Sequence, residues 1–104
     1  MIRAAFTMKL KPGFESEYRR RHDEIWPELV RELELAGVSD YSIFLDESTL
    51  TLSAFQKLKD HNAADLLPSR EIVKKWWTYM SDLMETNPDN SPVAVPLKEV
   101  FHMD

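Results

Sequence analysis

The apolar residues of this chain change period along its length, and the order of the changes leaves few folds open. Ile2, Ala4, Phe6, Met8 and Leu10 alternate with Arg3, Ala5, Thr7 and Lys9. A period of two reads as a strand with one buried face, ended by Pro12-Gly13. Phe14, Tyr18, His22, Ile25, Leu29 and Leu33 then recur at spacings of three and four, the stripe of an amphipathic helix. That helix is expected to reach about Ala36 and stop at Gly37. Pro27 removes the amide that would bond the Asp23 carbonyl, so a kink is expected just after His22. "YSIFL" (41–45) and "LTLSAF" (50–55) alternate again around the polar Asp46-Glu47-Ser48-Thr49 and read as a β-hairpin. Tyr41, Ile43 and Leu45 share one face of it, Ser42 and Phe44 the other. From about Asp60 to Met84 the pattern is helical, in two pieces broken near Pro68, with Ser69 as the cap of the second. "NPDNSPVAVP" then reads as a loop with a short extended end, and "LKEVFHM" as a last strand.

Strand, helix, strand, strand, helix, strand is the split βαβ order. It predicts an α+β, ferredoxin-like βαββαβ subunit with helices on one face of an antiparallel four-stranded sheet. The other face must be hidden. A second copy would hide it, and a Pro-interrupted final strand is an element to lend to a partner, so a homodimer is expected. At 104 residues the expectation is one domain, 1–104.

Composition removes several function classes. Without cysteine there is no disulfide scaffold, thiolate zinc site or cysteine nucleophile. The net charge is -5, and the basic run Arg19 to Arg21 is followed at once by Asp23 and Glu24, which argues against nucleic acid as a partner. No apolar run approaches the ~20 residues that span a bilayer, and "MIRAAFTMKLKPG" lacks a signal-peptide core. The expectation is a soluble, cytoplasmic protein with no membrane partner.

Chemistry is sought first at His22, an imidazole where the helix stripe calls for a core residue. It reads either as a packed histidine with both nitrogens satisfied or as a general acid or base, since its ordinary pKa of ~6.5 suits proton transfer. Tyr18 and Trp26 lie four residues to either side and are expected to line up with it, the three arginines between them facing elsewhere. Trp76 and Trp77 are adjacent in a helix and project about a hundred degrees apart. They read as one core and one interface residue, or as a platform for the apolar face of a sugar. Tyr41 reads as a tyrosine at the core edge. His61 and His102 lie at no metal-ligand spacing, and no metal site is expected. "NPDNSP" (87–92) is explained mostly by turn chemistry, with closure over a ligand as the alternative.

"YRRRHDEIWPEL", "YSIFLD", "KKWWTYM" and "NPDNSPV", in this order in a chain opening "MIRAAF", resemble the L-rhamnose mutarotase family. The likeness covers nearly the whole chain. It implies a dimeric α/β barrel of two ferredoxin-like subunits that interconverts the α and β anomers of L-rhamnose without a cofactor. It also implies His22 as the proton donor and Tyr18, Tyr41, Trp76 and Trp77 as sugar-binding residues. The segment from Thr49 to Ser69 carries no motif to transfer. The same architecture hosts cofactor-free monooxygenases, and fold alone does not separate them. A non-catalytic sugar-binding module is the other alternative.

Overall fold

A computed structural model describes residues 1–104. The elements follow the expected order. Strand β1 (Ile2–Lys9) is followed by helices α1 (Glu15–Asp23) and α2 (Pro27–Leu35), then strands β2 (Val38–Asp46) and β3 (Thr51–Leu58). A 3-10 turn (Ala64–Ser69), helix α3 (Glu71–Met80) and the short strand β4 (Val95–Leu97) complete the chain. The strands form one antiparallel sheet in the order β2-β3-β1-β4. This is the α+β, ferredoxin-like arrangement anticipated from periodicity.

The core lies between the sheet and the helices. Met8 and Leu10 from β1 and its end, Leu52 and Ala54 from β3, Leu29 from α2 and Val73, Trp76 and Met80 from α3 are all buried. Leu83 and Met84, just beyond α3, join them. Leu83 is held there because Lys11 N–H bonds its carbonyl at 2.8 Å. Burying such side chains contributes roughly 1.5–3 kcal/mol each, and the period-two and period-3.6 patterns select which ones.

Three expectations need correction. Pro27 does not kink one helix; it separates two. Trp26, the residue before the proline, is driven into extended backbone (φ -65, ψ 128), because the proline ring crowds the helical region of its predecessor. α2 then starts with Pro27 at its first position, where the missing amide costs nothing. Second, Ser69 does not cap α3. Its hydroxyl donates to the Leu66 carbonyl at 2.6 Å, and Arg70 occupies the cap position without a side-chain bond. The stretch before it is a 3-10 turn containing Pro68, and α3 ends at Met80 rather than Met84. Third, the last strand is three residues long, Val95–Leu97, not 97–103. Pro96 stands opposite Phe6 on the sheet edge, where a residue without an N–H is tolerated. Residues 98–104 pair with no strand of this chain.

The hairpin is longer than its alternation suggested and holds a bulge. Ser39 pairs with Lys57 and Ser42 with Phe55, so Asp40 and Tyr41 together oppose Gln56. Asp40 takes φ 47 there, a left-handed conformation that Asp enters more readily than most residues. Gly37, at φ 92, ends α2 as anticipated, and a Cβ on it would meet Asn62 Cβ at 3.1 Å.

The opposite sheet face is bare. Phe44 (64 % exposed) and Phe55 (45 %) meet edge to face with ring centroids 5.8 Å apart. Val95 and Leu97 extend this apolar surface, and Val100, Phe101 and Met103 stand open beyond it. A concavity of about 400 Å³ lies here, lined by Arg3, Ala5, Phe55, Lys57, Leu97 and Phe101 among others. It is on the far side of the sheet from the buried aromatic residues of α1 and α3. No helix is long and apolar enough to cross a membrane.

Candidate active site

α1 lifts Tyr18 and His22 onto one line. Their rings are stacked with centroids 4.4 Å apart, as the four-residue spacing dictates. His22 Nδ1 lies 3.1 Å from the Tyr18 carbonyl oxygen. A carbonyl only accepts, so Nδ1 carries the proton and donates it there. Nε2 is thereby left as the ring's exchangeable position. It makes no bond within the chain. No side-chain nitrogen or oxygen outside the exposed residues is sealed from solvent without a partner, so Nε2 is accessible.

α3 supplies the wall facing that helix. Trp76 is buried and stands edge-on to His22, centroids 5.3 Å apart and planes at 89°. It also stands edge-on to Trp26 at 5.0 Å. Trp26 therefore does not continue the Tyr18–His22 line, as the helical spacing implied. The break before Pro27 swings it away, and it packs on Trp76 and Tyr79 instead. By the same accounting, the Tyr18 hydroxyl and the Trp76 indole N–H have no partner in the chain and are open at their tips, although their ring bodies are buried. Three polar ends from two helices are thus left for something outside the chain to bond.

Tyr41 arrives from the bulge in β2. Its phenol and that of Tyr18 are close enough to oppose each other's ionisation. Burial pushes the Tyr18 phenol well above its ordinary value, Tyr41 adding a smaller part. Burial likewise raises Tyr41, partly offset by the Gln56 side chain. Both phenols are hydrogen-bond donors at neutral pH, not bases. His22 moves the other way. Burial lowers its pKa, opposed by the bond to the Tyr18 carbonyl and by Asp23. A neutral imidazole with a free Nε2 is a base that becomes an acid once it has taken a proton.

Of the sequence candidates, the structure brings Tyr18, His22 and Trp76 into contact, while Tyr41, 38 % exposed, makes no ring pair with them. Trp77 stands somewhat apart: it is half-buried, packs against the core and takes part in none of the ring pairs. His102 lies away in the C-terminal segment, 2.8 Å from Asp104. The 87–92 loop is tied to itself, Ser91 bonding Asp89 and Asn87, with Asn90 reaching Thr78 at 3.4 Å. Two residues were missed. Tyr79 packs between Trp26 and Trp76 at 5.3 and 5.7 Å; its position three after Trp76 was the available signal. Arg21 was read only as facing away from the Tyr18–His22 line, together with Arg19 and Arg20, and was given no role, yet its side chain is only 12 % exposed. Glu17, at i-4, was the clue. Arg20 and then Arg21 hold the Glu17 carboxyl down to about 2.

The family profile described as L-rhamnose mutarotase matches residues 3–103. The chain belongs to the L-rhamnose mutarotase family. It is 59% identical to the L-rhamnose mutarotase of Bacteroides thetaiotaomicron over the whole of both chains. It is 59% identical to that of Brucella anthropi, over 97% of this chain and 95% of the relative. The crystal structure of L-rhamnose mutarotase from Formosa agariphila superposes with a TM-score of 0.93 at 54% identity, covering all of both chains. An antibiotic biosynthesis monooxygenase superposes with a TM-score of 0.61 at 15% identity, over 96% of this chain and 99% of the other. That is a likeness of fold alone.

Proposed function

We propose that this family member is an L-rhamnose mutarotase, an isomerase that interconverts the α and β anomers of the sugar. The observation that carries the mechanism is the Nδ1–H bond to the Tyr18 carbonyl, 3.1 Å long, which leaves Nε2 as the one proton-exchanging atom of His22. An anomer changes hand when the ring opens, the C1–C2 bond rotates and the ring closes. Neutral Nε2 takes the proton of the anomeric hydroxyl. The C1–O double bond forms as the bond from C1 to the ring oxygen breaks. His22, now charged, donates that proton to the departing ring oxygen and is neutral again. Both oxygens are bonded to C1, so one nitrogen reaches both. Closure on the other face of the aldehyde runs the same steps backwards. No cofactor is needed to balance the atoms.

Tyr18 and Tyr41 donate hydrogen bonds to sugar oxygens, and burial, which disfavours the phenolates, suits that role. Trp76 presents its indole N–H, and Trp77 adds an apolar face for the sugar's C–H side. The whole of 1–104 acts as one domain in the cytoplasm, where a cysteine-free enzyme of a small free sugar is at home. The bare sheet of Phe44, Phe55, Val95 and Leu97 is covered by a second copy, forming a dimeric α/β barrel. An open apolar surface of this kind is an interaction site more often than an exposed end state.

The test is NMR exchange between the α and β anomeric protons of L-rhamnose at equilibrium, with D-glucose as control. Catalytic amounts of protein should produce saturation transfer for rhamnose. Absence of transfer with folded protein removes the assignment. Equilibrium binding of the sugar without faster exchange would point to a binding module instead.

A further inference from the structure

α1 is a nine-residue helix whose Tyr18 and His22 face α3. Besides that ring packing, one side chain ties α1 to the end of α3 by hydrogen bonds. Arg21 Nε donates to Glu17 Oε2 at 2.7 Å, which locks the guanidinium against its own helix. Its Nη1 then crosses to the Tyr79 carbonyl at 2.6 Å and to Asp82 Oδ1 at 3.0 Å, while Nη2 reaches Asp82 Oδ2 at 3.4 Å. The plane also lies over the Tyr79 ring, 4.4 Å from its centroid. Tyr79 is in the last turn of α3, where carbonyls lack helical partners and the helix dipole favours a cation. Arg21 is thus a C-terminal cap delivered from another helix. The ring it covers packs on Trp76, and Trp76 packs on His22.

We propose that Arg21 is a positioning residue, which caps α3 at Tyr79 and Asp82 and so sets the spacing between His22 and the Trp76 wall. This rests on His22 as the proton-exchanging group. The guanidinium touches neither His22 nor the open polar ends of the site. Its action is indirect, through the rigid fork that only arginine supplies. Lysine keeps the charge but cannot hold Glu17, a carbonyl and a carboxylate in one plane while stacking on a ring.

The experiment compares Arg21→Lys, Asp82→Asn and His22→Ala in the rhamnose exchange assay, with the His22 Cε1–H resonance as a second readout. That proton feels the ring currents of Tyr18 and Trp76 and reports their spacing. Misplacing a reacting group by about 1 Å costs on the order of 10²-fold. Arg21→Lys should lower kcat by roughly ten- to a hundredfold, leave KM within a few-fold and move the resonance toward that of a free imidazole. Asp82→Asn, at a residue 63% exposed in its side chain, should change both in the same direction by less. Folded Arg21→Lys protein with kcat and resonance unchanged overturns the proposal, as does lowered thermal stability alone. If Arg21→Lys does not fold, Asp82→Asn decides by the same two readouts. Full exchange by His22→Ala would instead overturn the proton-transfer assignment, so the two failures are distinct.

Discussion

Replacing His22 by alanine separates chemistry from folding, because the ring is half-buried and not at the centre of the core. A positioned acid or base contributes about 10²–10⁴-fold, or about 2.7–5.4 kcal/mol of barrier at about 1.36 kcal/mol per factor of ten. The structural cost is smaller. Full truncation of a buried aromatic residue costs about 3–5 kcal/mol. The smaller and partly open imidazole should cost about 1–2 kcal/mol on the same scale. For a chain of this size each kcal/mol lowers Tm by about 4–8 °C, so the variant should melt about 5–15 °C lower and remain folded at room temperature. The space it leaves is walled by Tyr18 and Trp76 and has the shape of an imidazole. Exchange between rhamnose anomers should therefore fall at least a hundredfold in folded His22→Ala protein and recover in part when free imidazole is added. A folded variant exchanging within twofold of the unaltered protein would refute the assignment of His22.

Further outcomes follow from the structure. Because burial lowers the His22 pKa and the neutral ring starts the proposed reaction, kcat/KM should rise with pH through an inflection below ~6.5 and then stay level; a decline through neutral pH would mean the charged ring starts it. The same shift means the unfolded chain takes the proton more readily, so this part of the stability is complete above ~6.5 and lost as pH falls, measurable by urea melts at stepped pH. Trp76→Phe should raise KM several-fold with a smaller change in kcat, whereas Trp76→Ala, at a buried ring, should cost about 3–5 kcal/mol of stability by denaturant titration. The proposed dimer through the bare sheet face predicts that Phe55→Glu sediments as a monomer while the unaltered protein sediments as a dimer; equal sedimentation of the two would overturn that use of the face.

Periodicity was enough for the order of elements, as where β3 buries Leu52 and Ala54 in alternation and α3 buries Val73, Trp76 and Met80 at spacings of three and four. Gly37 also marked its helix end correctly, since the backbone there needs a positive φ. Local breaks were harder. Pro27 signalled a disturbance, but whether a proline kinks or divides a helix depends on what holds the two pieces, and here Trp26 is anchored by Trp76 and Tyr79. The bulge at Asp40 and Tyr41 left no mark in the alternation, because Tyr41 still shares a face with Ile43. The final strand was overread because 98–104 has strand-like residues, yet the chain pairs with β1 only as far as Leu97. In the candidate site, the pairing of Tyr18 with His22 was legible because their spacing is local. Arg21 was not: three successive arginines look alike, and only the tertiary approach of α3 gives one of them a carbonyl and a carboxylate to grip.

The isolation of α1 has a thermodynamic consequence. Helices shorter than ~12–15 residues are marginal in water, and α1 has nine, bounded by the turn at Pro12-Gly13 and the break before Pro27. It keeps its shape only while docked. The helix bearing the imidazole should therefore open locally at a free energy below that of the whole molecule. Warming would silence such a protein before it unfolds, and amide protons of α1 would exchange with solvent while those joining β1 to β3 stay protected. A sugar that bonds both α1 and α3 would raise that opening energy first and global stability only afterwards.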